Sequence, residues 1–220
     1  MLASLRKDTL TAVIAMIAFT LVLGLAYPLA ITGVSQVVFP NTADGSQVTL
    51  DGRVVGSSLL GQDFRRPVLD ADGEPRVDAD GNPVLVVDER YFQSRPSQSG
   101  YNPSSTFFSN AGPNGADTRD AIAANADAYL ALERRFDASL TRGQIPPDAV
   151  QTSASGVDPH ISPDNAEIQA HRVAAVRDLP LERVEQLIEE HTDGRGLGLF
   201  GEPGVNVLEL NIALDKETTR

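Results

Sequence analysis

Residues 10–31 read LTAVIAMIAFTLVLGLAYPLAI. They lie inside an uncharged run of 35 residues, Thr9 to Ala43, bounded by Asp8 and Asp44. As a helix, 22 residues reach about 33 Å at ~1.5 Å per residue, enough to cross a hydrocarbon core of about 30 Å. A helix satisfies its own backbone groups, which lipid cannot do. A secretory signal would also open on basic residues, here Arg6 and Lys7. Its apolar core, however, runs only about 7–15 residues and ends at a small-residue cleavage site. Bulky Tyr27 and Pro28 stand where that site should be. The expectation is a retained transmembrane helix over 9–32, kinked or ended near Pro28, then a linker over 33–46.

Arg6 and Lys7 precede the span, and the next basic residue is Arg53. Basic residues stay on the cytoplasmic side. That asymmetry predicts a cytoplasmic N-terminus, residues 1–8, and a single extracytoplasmic soluble domain, residues 47–220. The host membrane would be a plasma (inner) membrane. Beyond Asp8 the chain carries 16 basic and 29 acidic residues, net −13. Such a surface repels nucleic acid and anionic headgroups, so no nucleic-acid partner is expected. With no cysteine, disulfide frameworks and thiolate metal sites are excluded.

Outside the span, residues 47–60 read as a hairpin around Asp51-Gly52, a two-residue turn signal. DADGEP (70–75) and DADGNP (78–83) form a tandem repeat. Alternating carboxylates suggest calcium. An EF-hand loop also needs a third oxygen ligand before the Gly and a terminal Glu, both missing, so two Gly/Pro turns in an insertion over 66–86 are expected. A strand over Val84–Val87 should run into Tyr91 and Phe92. Residues 93–116 have no period and read as a long loop whose Phe107 and Phe108 must pack somewhere.

Three helices are expected next. One covers 118–141, with Ile122, Ala126, Tyr129, Leu132, Phe136 and Leu140 on one face and Gly143 as its stop. After a polar loop, 146–162, Ser162-Pro163 reads as N-cap and N1 of a second, presenting Ile168, Ala175 and Val176. The third runs from Leu181 to His191 with Val184, Leu187 and Ile188 inward. Gly194, Gly196, Gly198 and Gly201 suggest a flexible connection. Alternation of Leu208, Leu210, Ile212 and Leu214 predicts a closing strand over Asn206–Leu214. Strands at both ends of a helical middle give an α+β class.

No catalytic constellation emerges. His160, His171 and His191 match no metal-ligand spacing, and each has an ordinary place: a turn, a helix face beside Arg172, and a helix's last turn. Ser153 and Ser155 do not form a nucleophile elbow. The sequence holds no Walker A phosphate loop. Catalytic residues, metal ligands and cofactors are therefore none.

Several strings together resemble one family: GSSLLGQDF (56–64), YFQSRPS (91–97), YNPSS (101–105), SNAGP (109–113), TSASGVDPHISP (152–163), QAHRVAAVR (169–177), EEHT (189–192) and LFGEPGVNVLELNIALD (199–215). With the N-terminal span, they are similar to the C subunit of Kdp-type potassium-transporting ATPases over nearly the whole chain. Departures are the 66–86 insertion, Gly204 where the family commonly has Arg, and Phe107-Phe108 where it has small residues. The resemblance implies an accessory, non-catalytic subunit that stabilises an ATP-driven potassium uptake pump. Its implied partners are a channel-like potassium-binding subunit, a P-type ATPase subunit and a small single-span subunit. It also implies a catalytic-chaperone role in ATP binding, with Gln62 at the position proposed to touch nucleotide. The charge asymmetry puts Gln62 outside and ATP inside, so the residue-level reading of Gln62 is a polar strand end. Partner docking is expected at Arg95, Asp158 and His160, on two polar loops, and at Gly24 in the span. The competing reading is a stand-alone membrane-anchored extracytoplasmic domain binding a solute or cation.

Overall fold

A computed structural model describes residues 2–105 and 110–218. Phe107 and Phe108 lie outside the described residues. The chain divides into two compact units, Met1–Gln47 and Val48–Arg220.

Helix α1 (Leu2–Leu21) passes through a π-helical segment, Val22–Ala26, into α2 (Tyr27–Val38). The helix thus extends past 9–32 at both ends. Leu5–Val38 is long and apolar enough to cross a membrane, with a mean hydropathy of 2.3 in its most apolar window. None of that window is buried in the protein. A helix apolar all round with no protein against it is built for lipid. Thr9 and Thr11 donate their hydroxyls to the Leu5 and Lys7 carbonyls at 2.8 and 3.0 Å, so neither is left unpaired.

Pro28 does not end this helix. Its missing N–H would leave the Gly24 carbonyl without a partner, and its ring would crowd that carbonyl. The chain widens one turn earlier, where Tyr27 N–H bonds Val22 O, five residues back. A π-turn of this kind carries the helix past the proline. A single turn, α3 (Pro40–Ala43), follows, and Gln36 Nε2 donates to Asp44 Oδ1 at 2.8 Å.

The expected hairpin, β1 (Gln47–Leu50) and β2 (Arg53–Ser57), begins at the last residue of the first unit and runs into the second. Asp51 and Gly52 both have positive φ, 50° and 75°, as a type I′ turn demands. Strand β3 (Arg65–Pro67) pairs antiparallel with β4 (Leu85–Val87), Arg66 opposite Val86. Between them lies the repeat insertion. Val68, Arg76 and Val84 exchange backbone bonds in a closed ring: Arg76 N to Val68 O, Val84 N to Arg76 O, Val68 N to Val84 O, at 2.8–2.9 Å. Each DADG is a turn leaving that ring. Asp70 Oδ1 accepts from the Asp72 and Glu74 amides, and Asp78 Oδ1 from the Asp80 and Asn82 amides, at 2.9–3.0 Å. The leading carboxylate of each repeat therefore shapes its own loop.

The expected strand stops at Val87. Asp88 accepts from the Arg90 amide and side chain, and Tyr91 N bonds Asp88 O at 3.1 Å. Helix α4 (Ala116–Glu133) is shorter than expected. Phe136 and Leu140 fall beyond it, because Asp137 Oδ1 captures the Ser139 amide and hydroxyl at 2.9 and 2.6 Å, a local turn that competes with helix. Leu140 is buried all the same. Gly143 lies in a 3₁₀ turn, Arg142–Gln144, rather than at a helix end.

Helix α5 (Pro163–Arg177) starts as expected: Ser162 caps it by accepting from Asn165 N, with Pro163 in the first turn. It ends at Asp178 in the left-handed region, φ 54°. Its buried face is not the expected one. Ala175 and Val176 are exposed, whereas Asn165, Ala166, Gln169, Ala170, Arg172, Val173 and Ala174 are buried. Helix α6 (Leu181–Glu190) buries Val184, Leu187 and Ile188 as expected.

A three-stranded antiparallel sheet of order β5-β7-β6 joins β5 (His160–Ile161), β6 (Thr192–Asp193) and β7 (Gly204–Asn206). The expected closing strand is a helix: only Gly204–Asn206 is extended, and α7 runs Val207–Thr218. Val207, Leu210, Asn211 and Leu214 are all buried, at the i, i+3, i+4, i+7 spacing of one helical face. Leu208 and Ile212 are covered on a second side. The two faces together imitate alternation. Asn206 Oδ1 accepts the Glu209 amide at 3.2 Å and caps the helix. The core gathers Phe92, Ile161, Val173, Val184, Val205 and Leu210 with their neighbours on α5, α6, β7 and α7. A helical layer on small antiparallel sheets is an α+β fold.

Candidate functional site

Segment 89–93, which is neither helix nor strand, needs partners for its backbone. It finds them in buried side chains. Asn211 on α7 accepts the Phe92 amide at 2.9 Å and donates to the Phe92 carbonyl at 3.0 Å. Gln169 on α5 does the same for Gln93, at 2.7 and 3.1 Å. Arg172 donates to the Glu89 and Tyr91 carbonyls at 2.7 and 2.9 Å, to Gln169 at 2.8 Å and to Glu133 of α4 at 3.0 Å. Arg172 and Glu133 are at most 1% exposed. Burial pushes the Glu133 carboxyl above its ordinary range, with Arg172 pulling it back down. These contacts explain why QAHR and LELN accompany YFQ in one sequence: they are the two jaws of one clamp.

The clamp presents the next residues, Ser94–Tyr101, to the loop 152–160. Ser153 N bonds Pro96 O at 2.9 Å. Ser97 and Ser99 both donate to Gly156 O, at 2.6 and 3.1 Å. Tyr101 OH donates to Arg95 O, and burial raises its pKa. Gly61 N bonds Val157 O at 2.8 Å. A Cβ on Gly61 would collide with the Asp158 carbonyl, so only glycine lets these backbones meet. Ser94 Oγ donates to Gln62 O at 3.1 Å. The strings LLGQ, SRPS, YNP and SASGVDPH thus form one stitched surface.

Arg95 and Asp158 meet on that surface: Arg95 Nη1 lies 2.9 Å from Asp158 Oδ2, each side chain about a quarter exposed. Arg95 Nε is buried without a hydrogen-bond partner among the described residues. Asp158 Oδ1 accepts the His160 amide at 3.1 Å. His160 Nε2 lies 3.1 Å from Asp193 Oδ2 of β6. Arg95, Asp158, His160 and Asp193 line an open cleft of about 370 Å³, together with Glu202 and Gly204. Gly204 is one of the departures from the family pattern. A Cβ there would stand 3.1 Å from the His160 side chain, so the glycine leaves His160 its seat over β7. A second cleft, about 420 Å³, lies between α4 and the loop 93–101. Of its carboxylates, Asp63 is paired with Arg65 at 2.7 Å; burial raises the Asp63 pKa, but the Arg65 hydrogen bonds outweigh that and hold it low.

Gln62 lies at the hairpin. Its Nε2 donates to Val55 O at 2.8 Å, and a Cβ on Gly56 would strike its amide. Gly24 sits in the π-turn of the other unit. His171 is half-buried on α5, and His191 Nδ1 lies 2.8 Å from Leu187 O at the end of α6. Among the described residues, no three His, Cys, Asp or Glu side chains converge as a metal site. Sequence reasoning named Arg95, Asp158 and His160 but not Asp193 or the clamp. The clamp residues were visible only as parts of family strings.

The second unit presents a fixed polar surface built from loops 93–101 and 152–160, and the first carries one helix long and apolar enough to cross a membrane. Comparison with known proteins gives the family. The family model described as "K+-transporting ATPase, c chain" matches residues 9–216. A potassium-transporting ATPase KdpC subunit of Streptomyces coelicolor is 43% identical over 208 residues, 91% of this chain and 88% of that one. Its counterpart from Nitratidesulfovibrio vulgaris is 44% identical over 193 residues, covering 86% and 84%. That of Mycobacterium tuberculosis is 39% identical over 214 residues, covering 96% and 100%. The chain belongs to the KdpC family, the c chains of K+-transporting ATPase, and is an accessory subunit of that pump, not its catalytic chain.

Proposed function

We propose that this chain stabilises an ATP-driven potassium uptake pump from the outer face of the membrane, through its span and the Arg95–Asp158 surface. The observation that carries the reading is the stitching of SRPS, YNP and SASGVDPH into one half-buried polar face by serine, tyrosine and ion-pair contacts. Loops held on a rigid scaffold carry binding. The partners are a channel-like potassium-binding subunit, a P-type ATPase subunit and a small single-span subunit. Residues 1–8 face the cytoplasm and residues 47–220 the outside, with the span at 9–32 and the linker at 33–46. Gly24 serves close helix–helix approach in the bilayer. Any chaperone effect on ATP binding is then transmitted through the membrane subunits, with Gln62 acting as the brace of the hairpin. A stand-alone solute or cation binder is the competing reading.

Tagged chain purified in detergent should bring three partners with it; a lone binder brings none. Arg95→Ala or Asp158→Ala should lower that recovery and potassium uptake. The full chain should lose no more than about 1 kcal/mol of stability, the scale of a partly exposed pair. A melting loss of several degrees in either variant assigns the pair to internal cohesion instead. Ser57→Cys on intact cells should react with an impermeant thiol reagent; labelling only after lysis reverses the topology and returns Gln62 to the side of ATP.

A further inference from the structure

The loop between β6 and β7 carries an apolar tip. Leu197, Leu199 and Phe200 are 91%, 78% and 68% exposed. They exceed every other large hydrophobic side chain described in the second unit. The backbone beneath them is a tight, bonded turn, not a flexible connection. Gly196 N bonds Phe200 O at 2.8 Å, Phe200 N bonds Gly196 O at 2.9 Å, and Gly198 N bonds Arg195 O at 2.9 Å. At the base, Arg195 and Glu202 pair at 2.5 Å.

Leu197 has φ 52°. A left-handed residue is costly for a bulky side chain and free for glycine. Other non-glycine residues with positive φ include Ser46, Asp51, Asn110 and Asp178, small polar types that tolerate it. Tyr101 is the other bulky one, and it is bonded to Ser97 and Arg95. At 91% exposure, Leu197 gains little from packing against the described residues of its own domain. Folding alone would be better served by glycine there. The turn needs the conformation but not the bulky side chain, and a strained, exposed leucine at its tip points to a surface used by something else.

The position of the tip says what covers it. Glu202, Pro203 and Gly204 at the base of the loop also wall the cleft of Arg95, Asp158 and His160. The tip therefore continues the surface already assigned to partner docking. Lipid is the poorer occupant. Interfacial membrane elements join an apolar tip to basic residues. Here Arg195 is neutralised by Glu202, and the chain beyond Asp8 has 16 basic against 29 acidic residues.

We infer that Leu197, Leu199 and Phe200 are the apolar anchor of this interface, filling an apolar pocket on the outer face of a membrane subunit of the pump, with the polar cleft as rim. This rests on the docking reading above. Interfaces concentrate their energy in such a desolvated centre ringed by polar contacts.

The test uses the full chain co-expressed with its pump partners. Leu197→Gly should weaken recovery of the partners about 30-fold, the scale of one hot-spot residue, while the chain's own melting temperature stays level or rises. Phe200→Ser should weaken recovery similarly, and Val54→Ser, an exposed apolar control on the hairpin, should leave it unchanged. A photo-crosslinking residue at position 199 should give a covalent adduct with a partner polypeptide. Adducts with lipid alone, or unchanged recovery for both variants beside intact wild-type recovery, overturn the anchor and leave the docking reading standing. A wild-type chain that recovers no partner overturns both.

Discussion

The most apolar helix of this protein buries nothing, and one of its polar helices buries seven residues. The π-turn and α2 have no buried residue, and Leu10, Met16 and Leu29 are each more than 60% exposed. Helix α5, by contrast, buries Asn165, Gln169 and Arg172 alongside four apolar residues. The difference teaches that hydropathy reports the solvent a helix is made for, not its depth in the protein. Lipid takes α1 and α2 as a solvent. The interior takes α5 only because each polar group on it has a partner within reach.

Breaking the interior side of that comparison should have the largest effect. Arg172→Ala leaves Glu133 buried without its partner, and frees the Glu89 and Tyr91 carbonyls. The loss should be about 3–5 kcal/mol, the scale of breaking a buried pair by removing one partner. Denaturant unfolding of the full chain in detergent reads it. Arg172→Met with Glu133→Leu should recover much of that loss, because no orphaned charge remains. Asn211→Ala should cost less, about 1–3 kcal/mol, by leaving the Phe92 amide and carbonyl unpaired. Amide hydrogen exchange at Phe92 should accelerate while Val184, on α6, keeps its protection.

A smaller effect follows from acid. The Arg90 hydrogen bonds hold the Asp88 carboxyl below its ordinary 3.8, against a smaller rise from burial, and Asp63 is likewise held low. A carboxylate with a depressed folded-state pKa adds stability above its unfolded pKa and loses it as pH falls through the folded value. The chain should therefore lose stability below about pH 4, and Arg90→Gln should flatten that loss in melts taken across the window. The smallest effect on folding belongs to the other helix. At Gly24 an added Cβ would meet only the Thr20 methyl, at 3.8 Å. Gly24→Leu should leave membrane insertion and the domain's melting unchanged while reducing recovery of partner subunits. Unchanged recovery would give the assembly role entirely to the soluble domain.

Local signals were legible where the physics is local. Asp51-Gly52 placed its turn because two successive positive φ values suit those residue types. Ser162-Pro163 placed the start of α5 because a hydroxyl acceptor and a fixed φ are both useful there. Val184, Leu187 and Ile188 marked the inner face of α6 because that helix has only one apolar stripe. Readings failed where two faces are buried at once. On α7, Leu208 and Ile212 beside Leu210 and Leu214 imitate a strand. On α5, Ala175 and Val176 promised a core that the fold built from Ala170, Val173 and Ala174. Arg95 and Asp158 were visible as loop residues, but nothing in their spacing of 63 positions announces a 2.9 Å pair.

By itself, then, the sequence determined the membrane-crossing helix, the α+β class, the turns and caps, and, through its strings, the family. Each of these rests on the composition of a continuous segment, and a continuous segment carries its own evidence. Only the tertiary structure decided that Gln169, Arg172 and Asn211 grip Phe92 and its neighbours, that the SRPS and SASG loops share one face, and that the apolar tip rises beside the Arg95–Asp158 cleft. Those facts depend on residues scores of positions apart meeting at hydrogen-bond distance. A polar side chain reads the same in sequence whether water or a distant carbonyl will satisfy it, and only the fold supplies the carbonyl.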